Sequence, residues 1–596
     1  MSHSFHIPVL GLAFSIDTPL KVAQYGISSV VSIVDDTLIE RMRAYYCEQF
    51  ERPYIAIDAT QDDARALRIT AYLNLMQEII DEQLQAMQAG DFENSENLNR
   101  YFALLPEKHP AKLRYQLLKS EPQLASNLQK ELIAELKASI KPGNIDVNIM
   151  AKVDKLNFDS HGLALAEKFS DALAAIRGFA QAKINSSVVL SAGLNPKLYS
   201  YIAEFPQFIP HLKAEHQKFI ILKVSDFRSA FIQAKFLAKK GLWVSEFRIE
   251  SGLNCGGHAF ATEGLLLGPI LEEFKAKRTE LLEALFPLYK EALAARGLQV
   301  EEAPAIAYTY QGGIGTAQEH EFLLQHYQLA ATGWGSPFLL VPEVTAVDSE
   351  TIENLIQANA ADFYVSGASP LGVPFNNFRQ STAEKRRLQR IQAGRPGNPC
   401  KKKYLVSNTE FTAEPICTAS RQYQQLKIKE LETQNLDAQA YEQQFNTIVE
   451  KTCLCEGLAT PAYLKYHILQ KKEEPAVSIC PGPNIAYFKS QYSLDQMVNH
   501  IYGRTDLLNQ VQRPLFFINE LNLYIEHLTS YVAINYQSVT EKKEKYVQKF
   551  KAQLLTGIQY YENLKNQVSL LSTTRKEEVS AQLQLAEQKI KDLGFA

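Results

Sequence analysis

Short apolar runs alternate with amphipathic stretches through the first half of the chain. Ile7–Phe14 (I-P-V-L-G-L-A-F) is an apolar run that predicts a buried strand. Thr18-Pro19 opens a short helix over Leu20–Tyr25, and Gly26 stops it. Ile27–Val34 is rich in β-branched residues and predicts a second buried strand. Strand, short helix and strand in so few residues make a βαβ unit, the building block of parallel sheets. The block 35–144 breaks this rhythm. Asp35-Asp36 caps a helix, and Ala64–Ala89 and Pro122–Ile140 space apolar positions among charges, with Gly90–Asn99 as a loop. The pattern predicts a helical insertion after the second strand.

The rhythm returns with strands at Asp146–Val153, Ser186–Ala192, Lys218–Ser225, Leu242–Ser251, Ala305–Gln311 and Gln328–Gly333. Helices at Leu163–Ala182, Phe227–Lys240, Gly268–Ala295 and Ala317–His326 fall between them. Eight strands, nearly all separated by helices, predict an α/β fold of the (β/α)8 barrel type over residues 1–345. A doubly wound open sheet is the competing arrangement. It loses support because no Gly-x-Gly-x-x-Gly turn follows the first strand.

Composition narrows the function classes. At 596 residues the chain exceeds one ordinary core. A net charge of −4 gives no general attraction to nucleic acid or acidic lipid. No apolar run is long enough to span a membrane, and no basic-then-apolar leader opens the sequence, so a cytoplasmic location is expected. Seven cysteines, five of them beyond residue 399, do not form a disulfide framework. Phosphate-loop, Gly-x-Ser-x-Gly and His-Glu-x-x-His motifs are absent.

Candidate chemistry gathers at the ends of the later strands. The sixth runs into Asn254-Cys255-Gly256-Gly257-His258, where two glycines permit a sharp turn and His258 can exchange a proton near neutral pH. Cys255 reads as a small buried residue or a reactive soft group. The seventh strand ends in Gln311-Gly312-Gly313-Ile314-Gly315-Thr316, and the eighth in Gly333-Trp334-Gly335-Ser336-Pro337-Phe338. Loops after strands seven and eight of a barrel commonly bind phosphate through bare backbone N–H groups, and Thr316 and Ser336 add hydroxyls.

These segments, with Val147-Asn148-Ile149-Met150, resemble in order the nitronate monooxygenase (2-nitropropane dioxygenase) family and the related flavin-dependent enoyl-ACP reductases. The resemblance covers roughly residues 7–345 outside the insertion. It implies a barrel that binds FMN, with His258 as the active-site acid or base. Gly312, Gly313, Gly335 and Ser336 would hold the FMN phosphate. Ala13, Phe14, Asn148, Gly256 and Gly257 would lie near the flavin. It implies a small-molecule substrate in the monooxygenase case. In the reductase case it implies an acyl-thioester substrate, with an acyl carrier protein as partner and NAD(P)H as electron donor. The sequence departs from the family pattern at Asn254-Cys255, where Glu-Ala is usual, and at Ser336-Pro337, where Thr-Arg is usual. A barrel serving only as a scaffold or binding protein is the non-catalytic alternative.

Residues 346–519 predict a mixed region. Gly367–Arg379 is a glycine- and proline-rich loop, read as a lid or a domain junction. Lys385-Arg386-Arg387 and Arg390 mark a solvated helix face or an anion site. Cys400, Cys417, Cys453, Cys455 and Cys480 sit beside prolines and glycines, a setting that suits an iron–sulfur cluster or zinc, with scattered buried thiols as the alternative. Residues 520–596 predict a helical hairpin or coiled coil that braces the molecule or forms a homo-oligomer contact.

Overall fold

Eight parallel strands close on themselves in the order of the chain. They are β1 (Phe5–Ile7), β2 (Ser28–Ser32), β3 (Ile145–Asn148), β4 (Ser186–Leu190), β5 (Lys218–Val224), β6 (Val244–Glu250), β7 (Ala307–Gln311) and β8 (Ala331–Gly333). Closure pairs Thr332 and Gly333 with Phe5 and His6. The chain is therefore a (β/α)8 barrel. The computed structural model describes residues 2–594 except 122–124, 151–153, 159–162, 192, 213, 257–262, 537–538 and 568–572.

The expected strands are all present, but β1 is much shorter than its apolar run. Only Phe5–Ile7 pairs as strand, because Pro8 has no N–H to donate and Gly11 turns at φ +84°. Val9–Phe14 stays mostly apolar because it is packed beneath the covering chain, not because it belongs to the sheet. The helix read over Gly268–Ala295 divides at Lys277 into Leu267–Ala276 and Arg278–Ala294. The helix expected from Leu163 begins only at Asp171.

The barrel interior carries an ion cluster as well as apolar side chains. Arg248 on β6 reaches across to Asp146 on β3 at 3.0 Å and also pairs with Glu246 at 2.7 Å. Val9, Val30, Val189 and Ile221 form a separate small apolar cluster. The insertion is helical, as expected. Asp35 caps its first helix, Asp36–Gln49, and Ala64–Ala89 lies against the helix Asp171–Gln181.

The last third folds back on the barrel. A hairpin of β9 (Phe363–Ser366) and β10 (Phe375–Phe378) brings the intervening loop over the barrel mouth. Asn376 fixes it there by donating to the carbonyls of Gly252 and Asn254, at 3.2 Å each. The three final helices, Phe516–Asn535, Glu541–Gln567 and Thr573–Asp592, pack on one another and on Leu267–Ala276. The N–H of Leu267 donates to Glu520 at 2.8 Å, and that of Gly268 donates to the Tyr561 hydroxyl at 3.1 Å. A Cβ at Gly268 would fall 2.3 Å from the Tyr561 ring, so this approach requires glycine. The segment thus forms three helices where a hairpin or coiled coil was expected, and its apolar positions Leu521, Leu528, Phe550, Leu554, Leu583 and Ile590 are buried within the chain. No helix among the described residues is long and apolar enough to cross a membrane.

Candidate active site at the barrel mouth

The C-terminal ends of the strands open into a cavity of about 330 Å³, within the range of small-molecule sites. Its floor and walls come from Ser32, Asn148, Ser191, Lys223, Glu250 and Gly256 at the ends of β2 to β6. Its roof comes from Leu371, Val373, Tyr404, Leu405, Leu454, Cys455 and Leu458. The site is thus built from both the barrel and the region after residue 346.

One ion pair dominates the wall. Glu250 Oε2 accepts from Lys223 Nζ at 3.2 Å, Asn254 Nδ2 at 2.8 Å and Gln311 Nε2 at 3.1 Å. Both charged side chains are nearly sealed from bulk water, at 9% and 4% exposure. Ser32 and Ser191 also face the cavity, and neither hydroxyl has a hydrogen-bond partner among the described residues. A bound ligand would satisfy them, since buried polar groups are nearly always paired.

Beside this cavity the loops after β7 and β8 converge. Gly312, Gly313, Gly335 and Ser336 line one small recess with Asn254, Cys255 and Asn484. Gly312 and Gly313 turn at φ +127° and +73°, a conformation that excludes most side chains. A Cβ on Gly335 would fall 2.8 Å from that of Cys255. The recess has the chemistry of a phosphate cradle: bare backbone and a hydroxyl. Its free volume is about 10 Å³, room for one water. The segment Pro481–Asn484 fills the rest, with Gly482 N–H donating to Ser336 Oγ at 2.8 Å and Asn484 Nδ2 donating to the Ile314 carbonyl at 2.8 Å. Admission of a phosphate requires this segment to move outward. Thr316 is already used as a helix cap, accepting from Glu319 N–H at 3.2 Å.

Arg513 braces the β7 loop. It donates to Glu319 and Asn484, at 2.7 Å each, and to the Gly313 carbonyl. Arg513 thus places a cation beside this loop, and Glu319 balances its charge.

The expected site residues divide clearly. Asn148 and Gly256 line the large cavity, and Gly312, Gly313, Gly335 and Ser336 line the recess. Ala13 and Phe14 are buried and line neither space; Val9, Gly11 and Leu12 take the wall positions of that segment in the large cavity. Gly257 and His258 lie outside the described residues. Burial pushes the Cys255 thiol up to about 12, so it is protonated at neutral pH and behaves as the small buried residue. Lys223 and Glu250 were not foreseen, although a charged side chain at the C-terminal end of a barrel strand is the signal that marks them.

The five late cysteines separate into two groups. Cys400 and Cys417 are neighbours, as are Cys453 and Cys455, and the partner thiol holds Cys400 and Cys453 below the ordinary thiol value. Cys480 lies apart beside Cys255, and its carbonyl accepts from Gly256 N–H at 3.1 Å. Among the described residues, no group of three or more His, Cys, Asp or Glu side chains is arranged to hold a single metal ion. The basic helix face is largely paired: Arg387 with Glu384, and Arg386 and Arg390 with Glu474. In comparisons with known proteins, the chain matches no family model and no curated protein.

Proposed function

We propose that this chain is an FMN-dependent oxidoreductase of the nitronate monooxygenase-like class, acting in the cavity at the barrel mouth. The observation that carries the reading is the adjacency of a ring-sized cavity to a glycine cradle formed by the loops after β7 and β8. The residues present fit the cofactor in kind. Gly312, Gly313, Gly335 and Ser336 would hold the phosphate once Pro481–Asn484 yields, and Asn148 and Gly256 would border the ring. Bound flavin supplies the redox chemistry, and the protein supplies placement and electrostatics.

The chain's own groups orient and protonate the substrate. Lys223 presents a cation to the cavity, suited to an anionic or carbonyl oxygen. Glu250 balances that cation and fixes Asn254 at the start of the loop that carries His258. His258 is the proposed acid or base for the substrate carbon. Leu371, Leu405, Leu454 and Leu458 give the cavity an apolar roof. The same roof favours a second reading, an enoyl-thioester reductase that receives an acyl chain.

Titration of the purified chain with FMN and with riboflavin tests the cofactor. Yellow protein that binds FMN at least about 10-fold more tightly than riboflavin supports the cradle; no uptake of either defeats the proposal. Oxygen uptake on an alkyl nitronate, set against NADPH oxidation with an enoyl thioester, separates the two reactions. His258→Ala should retain flavin and lose turnover, and unchanged turnover would remove His258 from its role.

A further inference from the structure

Between the first two helices of the insertion, Asp36–Gln49 and Ala64–Ala89, the segment Arg52–Asp58 crosses the surface as a strap that belongs to no sheet. Buried helix side chains hold one edge of it. Arg43 donates to the Ile55 carbonyl at 2.6 Å, and Arg68 donates to the Ile57 carbonyl at 2.7 and 3.0 Å. Ile57 N–H donates to Glu40 at 2.9 Å, and Glu40 in turn pairs with Arg43 at 2.6 Å. The Tyr54 hydroxyl donates to the same carboxylate at 2.8 Å, and its ring stacks on the Arg43 guanidinium.

These bonds leave the other edge open. In an extended chain, successive residues turn their N–H and C=O groups to opposite sides. Ile55 and Ile57 face the helices, so Tyr54 and Ala56 face outward. Among the described residues, nothing bonds the backbone N–H or C=O of Tyr54 or Ala56. An open edge is a template for another strand, and proteins that keep one to themselves blunt it with charge or proline. Here the outward residues are uncharged. Pro53 falls on the inward side, where its missing N–H costs the open edge no donor. Ile55 is 82% exposed, more than any other large apolar side chain described. Phe50 and Leu67, close to either end of the strap, are exposed as well.

The strap is complementary to its own reverse. Its sequence is Arg52-Pro-Tyr-Ile-Ala-Ile-Asp58. Antiparallel pairing of two copies centred on Ile55 sets Ile55 against its counterpart, Tyr54 against Ala56, and Arg52 against Asp58. Tyr54 and Ala56 then exchange reciprocal backbone hydrogen bonds through their open groups. The Ile55 pair falls at a non-hydrogen-bonded position, where Cα atoms come within about 4.5 Å and side chains pack most closely. A large side chain meets a small one, and opposite charges meet at each end. In-register parallel pairing would instead set Arg52 beside Arg52 and Asp58 beside Asp58. Arg52 pairs within the chain with Glu78 and Glu82, both largely exposed, and such surface pairs exchange at little cost. Asp58 Oδ1 is occupied by the N–H and hydroxyl of Thr60, which leaves Oδ2 for the arginine.

We infer that two copies of this chain associate through the open edges of Arg52–Asp58, antiparallel about a two-fold axis at Ile55. The contact is isologous, so it closes as a dimer and does not propagate. It lies outside the barrel and does not depend on what fills the cavity. The final helices, the surface first expected to join copies, have their apolar positions buried within the chain.

The test is analytical ultracentrifugation of the full-length chain from about 1 to 100 μM, a range that captures association of ordinary strength. A monomer–dimer equilibrium is expected. Ile55→Lys, which sets like charges on the axis, and Ala56→Pro, which removes an outward donor, should each raise the dimer Kd at least about 10-fold. Both positions are exposed, so urea midpoints should match wild type. A second measurement fixes the axis without weakening the edge. Ile55→Cys should form a disulfide between copies under mild oxidation, identified by peptide mapping, because its counterpart lies at bonding distance. Leu585→Cys, exposed on the last helix, should not. A chain that stays monomeric throughout would overturn the inference. So would a dimer whose Kd is unchanged by Ile55→Lys, a dimer in which Ile55→Cys fails to cross-link, or cross-linking at Leu585→Cys instead.

Discussion

Lys223 Nζ stands 3.2 Å from Glu250 Oε2, on adjacent strands and on the wall of the same cavity. Removing one partner leaves the other buried and unbalanced. Lys223→Met should therefore cost about 3–5 kcal/mol in denaturant unfolding. Lys223→Met combined with Glu250→Leu should regain much of that stability yet still fail to turn over substrate. Recovery of both stability and activity would make the pair purely structural.

The loop after β6 depends on Gly256, whose φ is +82° and whose added Cβ would fall 2.6 Å from the Val9 carbonyl. Gly256→Ala should cost about 1–3 kcal/mol, from backbone strain and the separation of this loop from the β1 segment. FMN affinity should fall in parallel in a fluorescence titration. Gly297→Ala serves as the control, since its φ is also positive, at +77°, but nothing lies within 4 Å of its added Cβ.

Glu520 gives a pH dependence of known sign. Its carboxyl is fully buried, and burial pushes it up from 4.5 to about 8. A carboxyl raised in the folded state contributes fully to stability below its unfolded value and loses that contribution as pH rises through the folded value. Stability should therefore fall between pH 4.5 and about 8, by an amount on the order of a few kcal/mol. Glu520→Gln should flatten this slope in urea melts at a series of pH values. An unchanged slope would place the proton elsewhere.

Lys218 runs the other way at the opposite end of the barrel. Its ammonium is sealed against the carbonyls of Ala182 and Ile184, and burial lowers its pKa from 10.5 to about 7. A lysine depressed by folding loses stability as pH falls through the folded value. Wild type should therefore gain stability from pH 7 towards 10.5 through this group, and Lys218→Met should lose that gain. The comparison is read from the difference between wild-type and variant urea midpoints across that range.

The barrel was legible in the sequence because parallel strands are buried on both faces and read as continuous apolar runs. That signal reports burial, not hydrogen bonding. Val9–Phe14 is apolar under the cap and was read as strand for that reason. Lys223 sat at the end of such a run, where its charge stood out but its partner did not. Glu250 becomes that partner only when β5 and β6 lie side by side. The roof residues Leu371, Tyr404 and Leu454 share no local period, because long-range packing alone selects them. Their place over the barrel had no signature along the chain. The pairing of Cys400 with Cys417, and of Cys453 with Cys455, was hidden for the same reason, and so was the separation of Cys480 from them.

The cavity's walls run in chain order from Val9 to Leu458, and the recess beside it is closed by Asn484. A ribosome therefore releases more than three-quarters of this protein before a complete binding chamber can exist. Until then the barrel has a floor and no roof. Occupancy of the chamber thus reports a chain that has been made and folded at least through Leu458, and ligand captured there rewards only chains that have brought this late segment back onto the barrel.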